Sequence, residues 1–140
     1  MIALLCHLFG DYFLQSDWMA LNKTKSWWPC YLHASLYSTV FFAAMLVGLL
    51  PLKWWALLVI GSTHFLIDRT YPARYICWAK NFMAPRSWWR PWKDCAATGY
   101  LIGDPARDPV AKPAFIAVWL MIIVDNTLHI AINYSALRWL

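Results

Sequence analysis

Four apolar segments set the terms for this chain: residues 1–15, 31–50, 54–68 and 114–132. Three of them carry ionisable side chains in a regular pattern. His7 and Asp11, His64 and Asp68, and Asp125 and His129 each stand four residues apart. His33, the remaining histidine, lies near the start of the second segment. On a helix, residues i and i+4 share a face. The spacing therefore predicts an imidazole and a carboxylate side by side on each of three helices, with His33 on the fourth. A single acid inside an apolar span costs on the order of a few kcal/mol, so seven such groups need a shared compensation.

Composition agrees with a membrane setting. Hydrophobic residues make up 61% of the 140 residues and charged residues only 14%, too few for a soluble domain of this size. Eleven Trp suit the membrane interface. The expected fold is all-α, one integral membrane domain over 1–140 built as a polytopic bundle of about four transmembrane helices. Full spans take roughly 20 residues, which the second and fourth segments reach. The first and third are short, as in helices that tilt little or sit where the bilayer thins. All seven acids are Asp, which hints that some serve a site rather than solubility.

Positive charge sets the expected topology. Ten Lys and Arg fall in the loop with Lys23 and Lys25 and in the loop 69–113, against Lys53 and Arg138 elsewhere. That bias puts both basic loops in the cytoplasm and both termini outward. No Lys or Arg precedes the first apolar run, so a cleaved signal peptide is not expected. The four Cys form no C-x-x-C pair, which excludes a zinc ribbon or a thioredoxin-type motif. The loop stretch RSWWRPWK reads as an interfacial segment, with Arg86, Arg90 and Lys93 contacting anionic headgroups. It equally reads as a plain anchor, and no nucleic-acid partner is expected.

A divalent metal is the natural compensation for the buried groups, since imidazole nitrogen and carboxylate oxygen are its usual ligands. The candidate ligands are His7, Asp11, His33, His64, Asp68, Asp125 and His129. Seven exceed what one zinc takes from protein, so one or two ions are expected, with some of the seven orienting the others. Gln15, Asp17, Asn126 and Asn133 are candidates for orienting ligands or touching substrate, or simply for capping helix ends. A metal-free proton relay, His–Asp pairs that only join helices, and chance recurrence are the competing readings.

The stretch His7-Leu-Phe-Gly-Asp11-Tyr-Phe-Leu-Gln15-Ser-Asp17, followed by Lys23 and His33, resembles the opening of an uncharacterised membrane-protein family of bacteria and phages. That opening runs H-(L/I)-x-(G/A)-D-(F/Y)-x-L-Q-(T/S)-D. His64 and Asp68 match the family's central H-x-x-x-D, and Asp125-Asn126-Thr127-Leu128-His129, with Asn133 beyond it, is similar to its closing D-N-T-x-H. The resemblance covers almost the whole chain, with the Trp-rich 76–93 less typical. It implies a likeness to inner-membrane metal-dependent hydrolases and a phage setting.

The expected function is a zinc-type hydrolase of a lipid or lipid-linked (phospho)ester, with Asp11, Asp68 and Asp125 as the carboxylates closest to the chemistry. Membrane lipids or lipid-linked molecules would be the partners, and Trp-rich faces could pair copies into a homo-oligomer. The alternatives are a holin-like or superinfection-exclusion protein and a small ion channel or transporter.

Overall fold

The computed structural model describes residues 1–140, and the chain is all-helical with no strand. Helix α1 spans Ile2–Leu8 and runs on into a π-helical turn, Phe9–Phe13. Helices α2 (Asp17–Asn22), α3 (Trp27–Leu46), α4 (Trp54–Thr70), α5 (Ala73–Ala79) and α6 (Ala114–Trp139) follow. Two compact units result: Met1–Tyr71 with His129–Leu140, and Pro72–Leu128. Helix α6 contributes to both.

In the first unit, α3 and α4 form a helical hairpin across the short link at 51–53. Helix α3 buries Cys30, Ala34, Tyr37, Phe41 and Ala44, a stripe of three- and four-residue steps. Helix α4 buries Ala56, Ile60, His64 and Ile67. Tyr37, Phe41, Ala44, Ala56 and Ile60 join Cys6 of α1 and Ala136 of α6 in one apolar core. Pro29 sits in the first turn of α3, where its missing N–H costs nothing. Tyr71 closes α4 in the left-handed conformation, φ 55°, its N–H donating to Ile67 O at 2.7 Å, and Pro72 follows. Arg69 near that end donates to Thr24 O and lies over the Trp27 ring. Ser16 caps α2 through Met19 N at 3.3 Å, and exposed Asp17 stands in the first turn, where an acid suits the helix dipole.

The second unit takes in most of the basic loop. Its Trp side chains are held locally: Trp78 Nε1 donates to Arg90 O at 3.0 Å and Trp89 Nε1 to Ala84 O at 2.8 Å. Three 3-10 turns lie at Lys80–Met83, Arg86–Trp88 and Trp92–Asp94. Gly99, at φ 78°, is required: a Cβ there would sit 2.0 Å from Arg74 O.

The four-span bundle is corrected in one respect. Only α6 is long and apolar enough to cross a membrane, by length and composition. The helical run of the first segment is seven plus five residues and ends before Gln15. Helix α4 has 17 residues, about 26 Å. Helix α3 has 20 residues, but Tyr31, His33, Ser35, Tyr37, Ser38 and Thr39 lower its hydropathy.

Candidate metal centre

Four donor atoms converge inside the first unit, two from α3 and α4 histidines and two from carboxylates. His33 Nε2 lies 3.0 Å from His64 Nε2, 3.2 Å from Asp11 Oδ1 and 3.2 Å from Asp68 Oδ2. His64 Nε2 lies 3.4 Å from Asp11 Oδ1 and 3.3 Å from Asp68 Oδ2. All four residues are buried, Asp11 the least at 8% exposed.

Local structure explains the convergence. His64 and Asp68 are one turn apart on α4, as the spacing predicts. Asp11 reaches the group through the π turn, where Leu14 N bonds Phe9 O at 3.2 Å across five residues. The wider turn shifts the phase of the helix, and π turns recur at functional sites. Gly10 lets this turn press on α3, since a Cβ on it would lie 2.6 Å from Tyr37 Cδ2.

Each Nε2 carries at most one hydrogen, so five close approaches around two nitrogens exceed what two linear N–H bonds satisfy. A tetrahedral ion with ligand bonds of about 2.0–2.1 Å holds its donors roughly 3.3–3.4 Å apart. The five separations, at 3.0–3.4 Å, match five of the six edges of such a tetrahedron. Asp11, His33 and His64 form a group that could hold a metal ion, and Asp68 Oδ2 lies within 3.3 Å of both histidine nitrogens. Two carboxylates and one ammonium, that of Lys23, leave a net −1 in the buried cluster while its histidines are neutral, a charge a divalent cation offsets.

The remaining oxygens point outward from this set. Lys23 Nζ donates to Asp68 Oδ1 at 2.9 Å, and His129 Nε2 stands 3.7 Å from the same oxygen. His7 Nε2 stands 3.7 Å from Asp11 Oδ2, and its Nδ1 is 2.9 Å from Tyr37 Oη. Asn133 Nδ2 donates to that hydroxyl at 2.5 Å. The Tyr37 ring stacks on His64, centroids 3.6 Å apart and planes within 11°.

The sequence singled out His7, Asp11, His33, His64, Asp68, His129 and Asn133, and all seven belong to this unit. Asp125 lies one turn before His129 on α6. Asn126 donates to Ile122 O of its own helix at 2.8 Å. Gln15 follows the π turn with its Oε1 buried. In the second unit, Arg86 and Lys93 are exposed, while Arg90 donates to Ser87 O and Trp89 O, both at 3.0 Å, and pairs with Asp108. Lys23 and Tyr37 were missed as parts of the site. A signal existed for Tyr37: it follows His33 by four residues, as Asn133 follows His129.

The model of a family described as a protein of unknown function, DUF3307, matches residues 1–89. The chain belongs to the DUF3307 family. No curated protein and no solved structure matches it. The matched stretch of this DUF3307 chain contains all four converging donors, Lys23 and Tyr37; His129 and Asn133 lie beyond it.

Proposed function

We propose that this DUF3307 chain is an integral protein of the bacterial inner membrane that binds one divalent ion, with zinc favoured by the mixed imidazole and carboxylate donors, through Asp11, His33, His64 and Asp68. In this reading it hydrolyses a lipid-linked phosphoester or pyrophosphate near the inner-leaflet headgroups. The observation that carries the proposal is the set of five donor–donor separations at 3.0–3.4 Å among Asp11, His33, His64 and Asp68. The membrane part rests on α6 and on large exposed apolar side chains of the first unit, among them Phe13, Trp27, Trp28, Trp55 and Leu58, all at least half exposed.

A divalent ion here would supply Lewis-acid polarisation of a phosphoryl or acyl oxygen and an activated water. The protein's own residues would do the rest. Lys23 holds Asp68 and brings a positive charge beside an anionic substrate. Asp11, the most exposed of the four donors, marks the side from which substrate reaches the site.

One observation favours a second reading. All four corners of the tetrahedron come from protein, the pattern of structural zinc rather than of a site with an open position. The ion would then stabilise a non-enzymatic membrane protein, such as one that perforates or blocks, or mark a transit site.

Elemental analysis of purified protein, followed by phosphate release from a polyprenyl pyrophosphate in mixed micelles, tests both parts. One ion per chain with turnover that ends in His33→Ala and His64→Ala is expected. One ion without turnover of any lipid phosphoester would support the structural reading and contradict the hydrolase.

A further inference from the structure

We propose that Tyr37 is the positioning residue of the metal centre: it fixes the ring plane of His64 and the tautomer of His7, and through His7 the orientation of Asp11. This rests on the reading that Asp11, His33, His64 and Asp68 hold an ion. It also divides the four histidines by role, with His33 and His64 as ligands and His7 and His129 as outer groups.

The tautomer follows from counting donors. Asn133 Nδ2 donates to Tyr37 Oη, so the hydroxyl's own hydrogen is free to go to His7 Nδ1, 2.9 Å away. A tyrosine hydroxyl has one hydrogen to give. In the proposed arrangement His7 Nδ1 accepts this hydrogen, and the His7 ring hydrogen sits on Nε2. That nitrogen faces Asp11 Oδ2 across 3.7 Å, while Asp11 Oδ1 is the oxygen turned toward His33 and His64. The separation is too long for a hydrogen bond but short enough for a directed N–H dipole to bias the carboxylate in a buried site. The outer oxygen of Asp68 is treated in parallel, by Lys23 at 2.9 Å and His129 at 3.7 Å. Each carboxylate thus keeps one oxygen for the centre and one for an outer group.

Ring orientation needs the same residue. Nδ1 of His64 is buried with no hydrogen-bond partner, so no hydrogen bond at that nitrogen sets its plane, as one usually does for a metal-bound histidine. The stacked Tyr37 ring supplies the constraint instead. Tyr37 is itself fully buried, wedged by the Gly10 backbone and followed one turn later by Phe41. One side chain therefore holds a ligand by its face and an outer histidine by its hydroxyl.

Cobalt(II) titration of the full-length, detergent-solubilised protein separates these roles, because the visible bands report the ligand set and the titration reports affinity. Tyr37→Phe keeps the stacked ring and removes the hydroxyl. It is expected to retain one Co(II) per chain with unchanged bands and to bind about 10–100-fold more weakly, the usual cost of losing an outer-shell partner. His7→Ala should weaken binding similarly with the same bands, and the double variant should lose little more than either single, since both break one chain of contacts. His7→Gln, which keeps an N–H, should recover part of the loss and serves if the alanine variant fails to fold. Unchanged affinity in Tyr37→Phe, additive losses in the double variant, or altered bands in a His7 variant would overturn the proposal while leaving the metal centre in place. Wild-type protein that takes up no Co(II) would overturn the metal reading and this proposal together.

Discussion

The two units of this chain use the same kinds of residue to opposite ends. Around Asp68, charges are buried and their partners come from far along the sequence: Lys23 is 45 residues away and His33 is 35. Around Arg90, charges lie at the surface and partners are close: Ser87, Trp89 and Asp108, all within 18 residues. Aromatic rings follow suit. Tyr37 is fully buried and in ring contact with all four histidines, whereas Trp89, 38% exposed, packs on Phe82 and hydrogen-bonds Ala84. Long-range contacts cost more chain entropy to close than local ones, and buried charge costs more than exposed charge. A chain that accepts both costs in one place has a use for that place. The locally satisfied Trp/Arg segment needs no such explanation.

The contrast can be broken from either side, and the largest effect should come from Asp68. Asp68→Ala removes one corner of the tetrahedron and leaves the Lys23 ammonium, only 14% exposed at its side chain, without its carboxylate. Breaking a buried pair by deleting one partner costs about 3–5 kcal/mol. Denaturant melts in detergent should show that loss together with loss of bound metal. Lys23→Met in the same background should return part of the stability and none of the metal.

Gly99→Ala attacks the second unit. The new Cβ would meet the Arg74 carbonyl and the backbone must hold a positive φ, for a cost of about 2–4 kcal/mol from overpacking and left-handed strain together. Limited proteolysis should open residues 72–128, while the metal-to-protein ratio stays at the wild-type value. A matching loss of metal would end the distinction between the two regions.

Ser16→Ala removes the α2 cap and should cost about 1 kcal/mol, read as a small fall in melting midpoint. Arg107→Ala should do least. Its pair with Asp104 spans 3.7 Å with both side chains more than half exposed, and such pairs contribute little. No shift in melting midpoint beyond measurement error is expected.

Much of the centre was legible in the sequence, and the reason is helical phase. The four-residue spacing of His64 and Asp68 places both on one face, and the tetrahedron uses both. The same rule applied to His7 and Asp11 was only half informative. The π turn changes the phase between them, so Asp11 Oδ1 turns to His33 and His64 while His7 faces the other oxygen. Spacing says which residues share a face; it does not say which carboxylate oxygen meets which nitrogen. Lys23 could not be found by periodicity, because its contact to Asp68 is made from a helix end through a long flexible stem. The first and third segments read as short, and their helices, Ile2–Phe13 and Trp54–Thr70, are indeed shorter than a full span. The local order of the Trp-rich loop went unseen because it depends on indole N–H groups meeting backbone carbonyls, contacts with no sequence period.

X-ray absorption spectroscopy on the purified, chelator-free protein addresses the central claim most directly. The account predicts one divalent ion per chain with four nitrogen or oxygen neighbours at about 2.0–2.1 Å, two of them imidazoles in the multiple-scattering region. His33→Ala should abolish the signal, whereas His7→Ala should leave the imidazole count at two. Protein that holds no ion, an ion with sulfur neighbours, or a His7→Ala variant that loses an imidazole from the inner shell would contradict it.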